Sequence, residues 1–166
     1  MAMQYDVKSA HMAASGVAVT YRTRLKGAIV SANASAATRN TVYANNLAQT
    51  GTYGRSTNTV TVTITDHGLA TGDRVWLSFS AGTGGTATTN VYSVTVSNAN
   101  TFTVTDTASG TITGSPAVTM YADLLLEADS YNPTAFNVII PGEGILAENG
   151  IYVGLVSNVT TTIFYG

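Results

Sequence analysis

Asn58-Thr-Val-Thr-Val-Thr-Ile-Thr65 alternates apolar and hydroxylated residues without a break. Successive side chains of a strand project to opposite faces, so Val60, Val62 and Ile64 fall on one face and the threonines on the other. This is the pattern of a strand half buried against a core, and it sets the expected class as all-β. Asp66-His67-Gly68 and Thr71-Gly72-Asp73 then supply turn chemistry, and Arg74-Val-Trp-Leu-Ser-Phe79 is a run rich in aromatic and β-branched residues. Residues 91–96 and 101–105 predict two more strands, joined by Ser97-Asn-Ala-Asn100, whose asparagines accept left-handed geometry. A weaker strand is expected at 111–113. Gly82-Thr-Gly-Gly-Thr-Ala-Thr-Thr89 predicts a flexible loop with nothing to anchor it.

Working outward, residues 15–21, 25–32 and 40–43 read as strands ahead of this stretch, and 118–126, 136–140, 150–155 and 160–165 as strands after it. Leu124-Leu-Leu-Glu-Ala128 has helix propensity, but five residues between strands are too few to nucleate a helix, so strand is expected there too. Pro141-Gly-Glu-Gly144 and Glu148-Asn-Gly150 predict tight turns. The expected organisation is a discontinuous core of residues 1–55 and 117–166, a small jelly-roll-like β-sandwich of roughly seven strands. A small β-barrel-like module of residues 56–116 is inserted into it, since exposed loop tips tolerate insertions.

Charged residues make up 10% of the 166 residues, against about 25% in an average soluble domain. Threonine, serine, asparagine, alanine and glycine must cover the surface instead, which suits a protein whose faces are held against neighbours. The chain has no cysteine, which removes disulfides and thiolate chemistry. No apolar run approaches the ~20 residues that span a bilayer, and the start lacks a basic segment followed by an apolar one. A soluble protein made without a signal peptide is expected. The net charge of −2 is unevenly spread: +5 over residues 1–55 and −7 over 56–166. The two halves can attract within one fold or between subunits packed head to tail.

Catalytic chemistry needs an acid–base group or nucleophile with a partner placed to activate it. His11 and His67 have no metal-binding spacing, and Asp66-His67-Gly68 fits a turn better than an oriented base. Glu143 and Glu148 read as solvated loop acids. Asp123, Glu127 and Asp129 have even separations, which on a regular strand places them on one face as a weak calcium site at most. The glycines at 82–85 are not followed by the Gly-Lys-Ser/Thr of a phosphate loop. No enzyme activity, cofactor or metal is therefore expected. Arg22, Arg24 and Lys26 alternate and place three cations on one face, either a basic stripe that meets an acidic neighbour or an ordinary solvated edge strand. Too few basic residues accompany them for nucleic acid. Trp76 and Tyr92, read as exposed near the Gly/Thr-rich tip, complete the candidate interaction residues.

Two segments resemble known proteins. Val60-Thr-Val-Thr-Ile-Thr-Asp-His67-Gly-Leu-Ala-Thr-Gly72-Asp-Arg-Val75, with Tyr92-Ser-Val-Thr-Val96 and Asn100-Thr-Phe-Thr-Val104, resembles a β module of marine phage and cyanophage structural proteins that is described as FCCH-like. Ile139-Ile-Pro-Gly-Glu-Gly-Ile-Leu146, Asn149-Gly-Ile-Tyr-Val153 and Val159-Thr-Thr-Thr-Ile-Phe-Tyr165 look like the end of small phage virion proteins. The resemblance implies a bacteriophage structural protein in many copies or as a homo-oligomer. Small size, low charge, β content and the absence of catalytic chemistry point to a capsid decoration or cement protein on the major capsid protein, the alternative being a tail or neck adaptor or fibre-associated protein that contacts the host. Nucleic acid and membrane are not implied as partners.

Overall fold

A computed structural model describes residues 7–32, 39–130, 135–156 and 158–166. In chain order the strands are β1 (Lys8–Met12), β2 (Gly16–Val19), β3 (Thr23–Ala32), β4 (Arg39–Asn45), β5 (Ala48–Ser56), β6 (Thr59–Thr63), β7 (Arg74–Phe79) and β8 (Asn90–Ser93). They continue as β9 (Thr95–Asn98), β10 (Thr101–Thr105), β11 (Ala117–Tyr121), β12 (Leu124–Ser130), β13 (Ala135–Ile139), β14 (Ile145–Ala147), β15 (Ile151–Leu155) and β16 (Val159–Tyr165). The described residues contain no helix, and the all-β expectation holds.

The chain divides into two compact units, Met1–Asn46 with Leu124–Gly166, and Leu47–Asp123. The second is wider at both ends than the expected 56–116. Residues 50–56, outside every expected strand, belong to β5, which pairs with both β6 and β11. Its glycines weaken the strand signal, but Gly51 is required: a Cβ there would lie 2.0 Å from the Thr63 carbonyl oxygen.

The discontinuous unit is a β-sandwich. One sheet runs β1-β16-β3-β13, with β14 also on β3, and the other runs β12-β4-β15-β2. Leu25, Val30 and Ile163 from the first sheet and Tyr43, Ile151 and Val153 from the second fill one core. A buried polar link crosses it. The Tyr43 hydroxyl lies 2.6 Å from Thr161 Oγ1, and because Thr161 donates its own proton to the Ile29 carbonyl at 2.9 Å, Tyr43 is the donor. Burial pushes the Tyr43 phenol up to about 12.

In β3 the buried positions change parity, from Thr23 and Leu25 to Ala28, Val30 and Ala32. A bulge accounts for this: Leu25 and Gly27 lie opposite consecutive residues of β16, Tyr165 and Phe164, leaving Lys26 as the extra residue. A second irregularity, between Leu124 and Leu126 of β12, breaks the even spacing assumed for the acids. Glu127 and Asp129 stay on one face, while Asp123 precedes the strand. No metal-binding group of three ligand-type residues is found among the described residues.

The inserted unit is one sheet in the order β8-β7-β11-β5-β6-β10-β9. Its two edge strands are consecutive in the chain, joined only by Val94, and the sheet curls into a half-barrel. Val94 interrupts the single strand expected at 91–96 because its backbone is taken by the turn before β7. Its N–H donates to the Asp73 carbonyl at 3.0 Å, and its carbonyl accepts from Gly72 at 2.9 Å. Val60, Val62 and Ile64 are buried with Val75, Leu77, Phe102 and Val104, as the alternation demanded.

The Gly/Thr-rich segment 82–89 is anchored, contrary to expectation. Thr83 and Thr113 exchange backbone hydrogen bonds of 3.0 and 2.9 Å, the Ala87 N–H reaches the Tyr53 hydroxyl, and the Thr89 hydroxyl accepts from Phe79 N–H. Two of the partners, Thr113 and Tyr53, sit about 30 or more residues away in sequence, which is why local reading found no anchor.

Candidate functional site

The residues at the start of β3 and the end of β16 enclose a cleft of about 300 Å³, lined by Lys8, Tyr21, Arg22, Thr23, Arg24, Leu146, Tyr165 and Gly166. The backbone frame is rigid: Arg24 and Gly166 exchange N–H to carbonyl hydrogen bonds of 3.1 and 3.2 Å. Arg24 Nη1 donates to the Gly144 carbonyl at 3.3 Å. Gly144 is itself fixed there, since at φ +81° a Cβ would lie 2.4 Å from the Leu25 carbonyl oxygen. Lys8 donates to the Tyr21 hydroxyl at 3.3 Å and lies 5.5 Å from the centre of its ring. Burial, with the neighbouring Tyr21 hydroxyl, pushes the Tyr165 phenol above its ordinary value.

Two of the three stripe residues therefore meet in one site and the third does not. Arg22 and Arg24 line the cleft, but Arg22 precedes the strand and Lys26 is the bulged residue beyond it. Lys8, Tyr21 and Tyr165 take its place. Sequence reading missed them because Lys8 and Arg24 come together only through β16, which pairs with both β1 and β3. Arg22 Nε bonds Glu148 Oε2 at 2.7 Å, an exposed pair whose net contribution is small. Glu148 is thus an ion-pair partner here, while Glu143 is exposed on the preceding turn.

Trp76 and Tyr92 are not exposed; both are buried, Trp76 completely. Tyr92 belongs to the inserted unit's core, where its ring meets Phe79 edge-on and its hydroxyl donates to the Thr88 carbonyl. Trp76 alternates with core residues Val75 and Leu77 and pairs across its strand with Val91 and Tyr121, which are buried too. Position near a glycine-rich tip suggested exposure, but β7 lies inside the sheet between β8 and β11, and Tyr92, on the edge strand β8, packs into the core.

The remaining chemistry-bearing residues serve the scaffold. Arg55 Nη1 and Asp106 Oδ2 lie 2.6 Å apart and are closed off from solvent. Arg55 also donates to the Gly110 and Ser109 carbonyls, and Asp106 accepts from Thr88 and Ala108 N–H groups. Burial alone would raise the Asp106 carboxyl, but bonds from Thr88, Ala108 and Arg55 hold it below the ordinary aspartate value. His67 is buried in its turn. Its Nδ1 accepts from Leu69 N–H at 3.0 Å, which places the proton on Nε2, 3.0 Å from the Asn98 carbonyl. The Asp66-His67-Gly68 motif is a structural turn, with Gly68 at φ +71°.

The outer faces of four neighbouring strands form a hydroxyl array. Thr63 of β6 stands opposite Thr52 of β5 and Thr101 of β10, Thr61 opposite Gly54 and Thr103, and Thr59 opposite Ser56 and Thr105. Thr95 of β9 extends the middle row. No charged residue occupies these positions.

No family model and no curated protein matches the chain, so the FCCH-like resemblance has no family match beside it. Among solved structures the chain is similar to part of a chain described as Phage phi92 endosialidase, at 22% identity and a TM-score of 0.35. The similarity covers 81% of this chain and 20% of that one, so this chain spans about a fifth of that protein's length.

Proposed function

We propose that this chain is a non-enzymatic structural protein of a bacteriophage virion, and that it decorates the capsid surface and stabilises the head. The observation that carries the reading as a surface-holding protein is the threonine array, a neutral face of hydroxyls and methyls. Such a face desolvates no charge when it is covered, and its hydroxyls can both donate to and accept from a covering partner. The ion pair and histidine of the inserted unit are consumed in building it, which supports a scaffold role. The phage assignment draws on the sequence resemblance of residues 60–104 and 139–165.

Quantitative mass spectrometry of purified particles tests this. A decoration protein is present in on the order of hundreds of copies per particle, each with modest contact area, because repeated contacts add by avidity. A dozen copies or fewer would overturn the capsid reading in favour of a tail or neck position, and absence from the particle would overturn both.

A further inference from the structure

We propose that the cleft between the start of β3 and the end of β16 is a docking site for an acidic segment of a neighbouring protein. Three cations and no acidic side chain line it, and one of the three, Arg22, is paired with Glu148. Among the described residues Lys8 and Arg24 have no carboxylate partner. Lys8 is held by the Tyr21 hydroxyl and Arg24 by the Gly144 carbonyl, both neutral acceptors. These contacts fix the cations in place without neutralising them, so an incoming carboxylate meets groups already ordered. One bond to Gly144 leaves Arg24 donors of its fork free for a charge-assisted pair.

The spacing favours a chain over a small ion. Arg22 and Arg24 stand two residues apart at one wall, Lys8 arrives from a different strand, and Leu146 with the two tyrosine rings supplies apolar surface between them. A single inorganic anion would leave that apolar surface wet. An extended acidic segment carries several carboxylates on spaced side chains and covers the apolar wall with its own stem. The identity of the partner as a particle protein rests on the function proposed above; the chemistry of the cleft does not.

The test uses the full chain and a labelled peptide of alternating aspartate and alanine, with binding followed by fluorescence anisotropy. Saturable binding is expected, weakened about tenfold or more by Arg24→Gln and by Lys8→Gln. Glu148→Gln should strengthen it, because Arg22 is then released. Thermal melts of the variants separate lost binding from lost folding. No saturation, or equal binding by a well-folded Arg24→Gln variant, overturns the proposal. So does competition by inorganic phosphate at the peptide's own concentration, or tighter binding of an oligogalacturonate. None of these outcomes touches the particle assignment, which is read from virion composition.

Discussion

Arg55 and Asp106 face each other at 2.6 Å with both side chains shut away from solvent, one at the end of β5 and the other just after β10. Removing one partner leaves the other as an uncompensated buried charge. Arg55→Met should therefore destabilise the inserted unit by about 3–5 kcal/mol. The double substitution Arg55→Met with Asp106→Leu should recover much of that loss. Urea denaturation followed by Trp76 fluorescence reads both, and a double variant as unstable as the single would show that the cost lies in shape, not charge.

The same carboxylate sets an acid limit. Its folded value lies below the ordinary aspartate value of 3.8, so folding favours the ionised form. The stability it contributes is fully present above that ordinary value and is lost as the pH falls through the lower, folded one. The inserted unit should keep its melting temperature down to about pH 4 and lose it below. An Asp106→Asn variant should be less stable at neutral pH and show a flatter dependence over the acid range.

At the other extreme, the sandwich should respond to alkali through Tyr43. With the phenol raised from 10.0 to about 12, folding favours the protonated form. Its contribution is present below pH 10 and disappears as the pH rises towards 12. Tyr43→Phe should cost about 1 kcal/mol at neutral pH, because Thr161 keeps its bond to Ile29, and should remove this component of alkaline unfolding.

Much of this was readable in the residues. The alternation at 58–65 yielded both the class and the buried set Val60, Val62 and Ile64, because period-two burial needs no knowledge of the partner strands. The opposed charges of the two halves also appear as pairs within the fold, Arg22 with Glu148 and Arg55 with Asp106. What escaped depends on long-range pairing. Glycines at 51 and 54 hid β5, a bulge moved Lys26 out of line with Arg24, and Trp76 was read as exposed from the tip next to it.

The anchored tip yields a contrast between adjacent glycines. Both have positive φ, +100° at Gly84 and +127° at Gly85, but a Cβ at Gly84 would lie 2.1 Å from the Thr111 carbonyl oxygen while at Gly85 nothing is within 4 Å. Alanine at either position costs about 1–3 kcal/mol in backbone strain. Gly84→Ala should cost clearly more than Gly85→Ala by thermal unfolding, and equal effects would show that the tip shifts freely.

A shortened chain that joins Asn46 directly to Leu124 should fold as the sandwich alone. Ala44 and Leu124 are already cross-strand partners, so the join leaves Asn45 and Asn46 as a hairpin turn, and asparagine accepts the left-handed geometry such turns require. Circular dichroism and a cooperative melt would check it; an unfolded product would show that the sandwich depends on the insert.

At the same junction, Ala48 and Tyr121 are partners on β5 and β11, so the inserted unit begins and ends on adjacent strands. Four chain ends thus meet as two neighbouring pairs, each already in hairpin register. Gain, loss or exchange of residues 47–123 is then a single genetic event that changes no strand pairing within the sandwich. A change in the inserted unit then leaves the packing constraints of the sandwich as they were.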